Sequence, residues 1–163
     1  MERRIESPLF NIVLFEPEIP QNTGNIGRIA VNTFSRLHLI EPVGFSFEDK
    51  HLRRAGMDYW KHVDCVMHAN WADFLVSKGN APVYFFSTKA TREYWDCPFE
   101  PGAYLVFGKE SAGLPSEIHE AWQDSFYTIP MPGNFSRSLN LANSVGVAVY
   151  EGLRKQPQAW RNI

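Results

Sequence analysis

Five short runs set the limits on what this chain can become: Asn11–Phe15, Leu37–Ile40, Val83–Ser87, Ala103–Phe107 and Phe126–Ile129. Each is mostly apolar, so as a strand it needs cover on both faces, as strands of a parallel sheet have. Val63–Val66 reads as a further short strand. Helical stretches lie between them. One covers Asn25–Phe34 after a turn at Pro20–Gly24, one Lys50–Gly56, and one Trp71–Lys78, closed by Gly79. Another covers Pro115–Trp122, with proline near its first position, and the last covers Leu139–Arg154. Strands alternating with helices predict a single-domain α/β fold on a parallel sheet. No repeat, low-complexity tract or linker divides the chain. The domain is therefore placed at residues 11–154, with an N-terminal tail at 1–10 and a C-terminal tail at 155–163.

Composition excludes several classes. At 163 residues the chain suits one sizeable core. No run approaches the roughly 18 apolar residues that a membrane span requires, and Met1–Ser7 lacks the apolar stretch of a signal peptide. Cys65 and Cys97 are the only cysteines and form no C-x-x-C, so neither a zinc knuckle nor a disulfide framework is indicated. No His-x-x-x-His pair suggests zinc, and the five histidines suggest no constellation. A cytoplasmic protein without a metal is expected. The net charge of −2 gives no global argument for nucleic acid, so any such claim rests on local patches.

Ligands of parallel sheets bind beyond the carboxyl ends of the strands. Three polar segments fall there: Pro20–Arg28, Phe107–Pro115 and Ile129–Asn140. The last joins a Pro/Gly loop to Ser136-Arg-Ser-x-Asn140 at the mouth of an apolar helix. Polar groups in such a place are costly unless something binds them. Familiar nucleotide motifs do not account for these segments. Gly24-x-x-Gly27 lacks the first glycine pair of the dinucleotide fingerprint, and Gly108-Lys109 is followed by Glu110 rather than Ser or Thr.

Taken together, Asn22-Thr-Gly-Asn-Ile-Gly-Arg28, Phe107-Gly-x-Glu110-x-x-Gly113-Leu-Pro115 and Ile129-Pro-Met…Ser136-Arg-Ser-Leu-Asn140 resemble the three SpoU signatures of the SPOUT RNA methyltransferases. Glu16–Ile26 and Leu52–Tyr59 are similar to the small enzymes that methylate the ribose 2′-oxygen of the tRNA wobble nucleotide. The resemblance covers residues 11–154 in order. It implies S-adenosylmethionine as methyl donor, tRNA as substrate, a homodimer, and a C-terminal trefoil knot whose loops hold the donor. This chain departs from the pattern in two places. Pro132–Phe135 is about one residue longer than the usual spacing, and Ala112 stands where relatives often carry arginine.

The resemblance and the residue chemistry together nominate a site. Arg28, Glu110 and Asn140 are the expected catalytic residues. An arginine with pKa above about 12 is a poor base, so Arg28 is expected to position phosphate or ribose. Glu110 would orient Arg28 or Asn140, although a carboxylate there also suits a helix N-terminus. Phe86, Gly108, Ile129 and Ser138 are the expected donor-binding residues, with Ser138 also a candidate cap for the last helix. Asn22, Arg53, Arg54 and Arg154 are expected to meet tRNA, the last in an acid-free tail with Lys155 and Arg161. The final helix carries more apolar surface than one core contact uses, which supports a dimer. Two rivals stay open: an rRNA ribose methyltransferase, and a non-catalytic module that binds RNA or cofactor.

Overall fold

The computed structural model describes residues 4–47 and 60–163. The expected helix at Lys50–Gly56 and the Leu52–Tyr59 segment, with Arg53 and Arg54, lie outside the described residues. Six strands form one fully parallel sheet: β1 (Asn11–Phe15), β2 (Arg36–Ile40), β3 (Cys65–His68), β4 (Val83–Phe86), β5 (Tyr104–Phe107) and β6 (Phe126–Tyr127), in the order β3-β2-β1-β5-β4-β6. The α-helices among the described residues are α1 (Pro20–Asn32), α2 (Trp71–Lys78), α3 (Ser116–Ala121), α4 (Leu141–Lys155) and the short α5 (Pro157–Trp160).

Side chains alternate across each strand, so β1 feeds two cores. Ile12 and Leu14 join Leu37, Leu39, Leu105 and Phe107 on the face covered by α1 and α4, through Ile26, Ala30, Ala142, Val145, Ala148 and Val149. Val13 and Phe15 join Val106, Phe85 and Phe126 on the other face, under Phe74 of α2 and Ile118 of α3. Ahead of β1, Ile5, Leu9 and Phe10 are already buried, and buried Asp64 accepts from the Ile5 N–H at 2.8 Å and from Arg36 Nε at 2.8 Å.

Several boundaries moved for local reasons. The Pro20–Gly24 turn is the first part of α1, because proline at the start of a helix brings a preset φ and no N–H to satisfy. The short strand after Trp60 runs over Cys65–His68 rather than Val63–Val66, in register with Leu37–Ile40. β6 stops at Tyr127, since the Thr128 N–H turns to the Arg92 carbonyl at 2.7 Å. The last helix begins at Leu141, capped by Asn140 and not by Ser138. The Asn140 side chain accepts from the Asn143 N–H, satisfying one of the orphan donors at that end.

The histidines do form a constellation, contrary to the sequence reading. His38 Nδ1 lies 2.9 Å from His68 Nε2, and His38 Nε2 lies 2.9 Å from Asn11 Oδ1. The Asn11 amide nitrogen donates to the Gly102 carbonyl at 3.0 Å, which leaves Oδ1 to accept from His38. His38 therefore carries its proton on Nε2 and accepts at Nδ1 from His68. The two residues are thirty apart in sequence and meet only because β2 and β3 pair, so no local pattern announces them.

Burial first, and the neighbouring His68 second, push the His38 pKa from 6.5 down to about 3. A depressed folded-state value means that this contribution to stability is complete above pH 6.5 and is lost as the pH falls toward 3. Its steepest slope is about 1.4 kcal/mol per pH unit. Thermal melts between pH 7 and pH 4 should show a steeper loss for the wild type than for His38→Asn. Parallel curves would contradict this role for His38.

Candidate active site

The strand order reverses at β1 and β5, and the loops leaving β1, β4, β5 and β6 converge there. They enclose a cleft of about 610 Å³. Phe86 and Phe107 form apolar lining at the ends of β4 and β5, their rings stacked at 5.0 Å. Ile129 and Met131 from the segment after β6 add apolar wall, while Ser138 and Asn140 close it on the α4 side. All four residues expected to hold the donor, Phe86, Gly108, Ile129 and Ser138, line this one space, as do Glu110, Asn140 and Asn22.

The loop after β5 owes its shape to two glycines. The Lys109 and Gly113 backbones bond to each other in both directions, at 3.3 and 2.9 Å, folding the loop back on itself. Gly113 has φ +67°, a left-handed conformation favouring glycine. A Cβ on Gly108 would sit 2.4 Å from the Gly113 carbonyl carbon, so any side chain there would force the two arms of the loop apart.

Glu110, at the tip of that loop, accepts from the Glu18 N–H at 3.0 Å, the Ile19 N–H at 2.7 Å and Asn22 Nδ2 at 3.2 Å. Ile19 is the N-cap of α1 and has no side chain able to cap it, so Glu110 supplies the missing acceptor from about ninety residues away. A negative charge there also suits the helix dipole. The lock is reciprocal. Glu18 accepts from the Ser111 N–H at 2.9 Å and the Ser111 hydroxyl at 2.7 Å, and that hydroxyl, followed by the backbone N–H, lowers the Glu18 pKa. Asn22 carries the connection onward. Its Oδ1 accepts from Asn140 Nδ2 at 2.9 Å, while Asn140 Oδ1 caps α4. One hydrogen-bonded line thus runs from the β5 loop through α1 to α4.

The predicted site residues divide accordingly. Glu110 reaches Asn140 through Asn22 rather than directly. Asn22 is buried in the first turn of α1, and its amide serves Glu110 and Asn140. Arg28 does not line the cleft, and it does not share the face of Ile26 and Ala30. At about 100° per residue those two point into the core, whereas Arg28 is exposed on a polar stripe with Gln21, Asn25 and Asn32. Arg154 opens the acid-free tail, yet its charge is met from just ahead of it. It pairs with Glu151 one turn earlier at 2.5 Å, and Lys155 donates to the backbone carbonyls of Trp95 and Cys97. The sequence reading missed Glu18 and Ser111, and also Lys89 and His119, which line the cleft. Glu18 follows a strand end by three residues, a weak signal; His119 carries no signal at all.

Among the described residues no cluster of His, Cys, Asp and Glu could hold a metal ion, and no helix is long and apolar enough to cross a membrane.

The SpoU rRNA methylase family model matches residues 9–150, which spans all three polar segments, and the chain belongs to this family. Its SPOUT-type α/β fold is thereby established. The chain is 51% identical over 156 residues to the tRNA (cytidine(34)-2′-O)-methyltransferase of Saccharophagus degradans, covering 95% of this chain and 96% of that one. It is 45% identical to the tRNA (cytidine(34)-2′-O)-methyltransferase of Escherichia coli K12, covering 95% of this chain and 94% of that one. A solved structure described as giving structural insights into the 2-OH methylation of C/U34 on tRNA superposes with a TM-score of 0.87 at 45% identity. That match covers 91% of this chain and 97% of the other.

Proposed function

We propose that this protein transfers a methyl group from S-adenosylmethionine to the ribose 2′-oxygen of wobble nucleotide 34 of tRNA. The observation that carries this reading is the single cleft that gathers Phe86, Gly108, Ile129, Ser138, Glu110 and Asn140. Near-full-length relatives named for cytidine-34 methylation support tRNA over rRNA.

The cleft suits the donor. Phe86, Ile129 and Met131 offer apolar surface for a flat base. Gly108 lets the loop fold tightly against Gly113 beside the cleft, and Ser138 supplies a hydroxyl. The bound donor supplies an electrophilic methyl on sulfonium, a reaction that needs alignment above all. The residues of the chain provide that alignment. Glu110 and Asn22 fix Asn140 at the cleft wall, where its amide can also face the acceptor ribose. Asn140 and Glu110 thus act in positioning. Arg28 supplies a permanent positive charge for phosphate or ribose, and Arg53, Arg54 and Arg154 are the further cations assigned to tRNA. The proton of the 2′-hydroxyl leaves late or with help from an RNA phosphate, because arginine does not deprotonate near neutral pH.

Arg28 does not line the cleft of its own chain, so the reading assigns it to the site of a second protomer. α4 buries Ala142, Val145, Ala148 and Val149 within the monomer, but Val147 and Tyr150 remain 39% and 51% exposed and Leu139, just ahead of the helix, 41%. A twofold contact over this stripe covers it and brings the α1 polar face toward the partner. C-terminal knotting and a cytoplasmic location complete the reading.

Tritium from labelled S-adenosylmethionine should enter bulk tRNA and not rRNA, and should remain on a 2′-O-methylated nucleotide 34 after digestion. Label confined to rRNA, or binding of S-adenosylhomocysteine with no transfer, would contradict the assignment. Sharing between protomers has its own test. Arg28→Ala and Asn140→Ala proteins, each weak alone, should regain activity when reassorted into heterodimers. A fully active monomer by light scattering would refute the shared site.

A further inference from the structure

Phe135 is 96% exposed, the highest value among the described large apolar side chains. It sits in the longer-than-usual Pro132–Phe135 stretch, within a loop whose residues 132–139 are all exposed. The loop is nevertheless shaped: the Ser136 hydroxyl lies within donating distance of the Met131 carbonyl at 3.1 Å and the Gly133 carbonyl at 2.5 Å. Met131, Ser138 and Leu139 of the same loop line the reacting cleft. Three extended residues reach at most about 11 Å, so Phe135 stands at the cleft rim within that distance of Ser138.

The surroundings point to one kind of occupant. Residues 131–140 contain Arg137 and no acid, and Lys89 and Lys109 also line the cleft. Single-stranded RNA is bound by this pairing of cations for phosphate and exposed rings for bases. A homodimer core, by contrast, is depleted of charge, and apolar surface for it is already present along Leu139, Val147 and Tyr150.

We propose that Phe135 is a stacking platform for a base of the substrate RNA flanking the methylated ribose, with Arg137 on an adjoining phosphate. The proposal rests on the RNA methyltransferase reading above and extends it to a substrate subsite. Every base has a π-face, so the contact anchors the strand and does not read its sequence.

Steady-state methyl transfer to an anticodon stem-loop RNA tests this with Phe135→Ala and Phe135→Tyr. The alanine variant should raise KM for RNA roughly tenfold or more, in line with the loss of one base–aromatic stack. Its kcat and its calorimetric affinity for S-adenosylhomocysteine should stay within about twofold of wild type, and tyrosine should restore KM. A wild-type KM in the alanine variant would overturn the proposal alone. So would weakened S-adenosylhomocysteine binding, which assigns the ring to the donor, or loss of the dimer in light scattering, which assigns it to a second copy. A wild-type protein inactive on every RNA would bring down the functional reading and this subsite with it.

Discussion

The cleft keeps its shape through the carboxylate of Glu110. The donors it meets, the backbone N–H groups of Glu18 and Ile19 and the amide of Asn22, belong to the start of α1, where the chain has no side-chain cap of its own. Ser111 next to it binds Glu18 in return. Two loops distant in sequence are therefore fastened at both ends, and Asn22 extends the fastening to the cap of α4. Unpaired donors and acceptors at a partly buried helix end are expensive. Taking away one partner of this line thus leaves several others unsatisfied. The glycines at 108 and 113 let the loop reach α1, and Glu110 holds it there.

The parallel sheet decides where this happens. Two face-specific cores hold α1 and α4 on one side and α2 and α3 on the other. At the β1–β5 junction the strand order changes direction. The loops that converge there come from residues 16–22, 87–89, 107–114 and 128–141.

Much of this was legible in the sequence. The strands were readable because their apolar runs are short and bounded by proline, glycine and polar residues. The three polar segments were readable because their composition does not suit a core. Glu110 and Asn140 were singled out and both line the cleft, yet their partners were not, since a hydrogen bond between residues about ninety or more apart leaves no periodic trace. Arg28 was expected at the site, but helical phase sets it on the exposed side of α1, nearly opposite the buried Ile26 and Ala30. The His38–His68–Asn11 line was missed for the same reason as Glu18 and Ser111: strand pairing and loop convergence create these contacts. Ser138 and Asn140 both fit an N-cap by residue type, and only the backbone of α4 chooses between them.

The most direct test of this account is Glu110→Gln, which keeps size and shape but replaces one accepting oxygen with a donor. Calorimetric affinity for S-adenosylhomocysteine and the single-turnover rate of methyl transfer to tRNA are measured on the same preparation. If the carboxylate holds the cleft together, both fall, each by roughly tenfold or more, as expected when a charged hydrogen-bond hub loses its acceptor. A folded Glu110→Gln protein with wild-type affinity and wild-type rate would contradict the claim that this carboxylate organises the site.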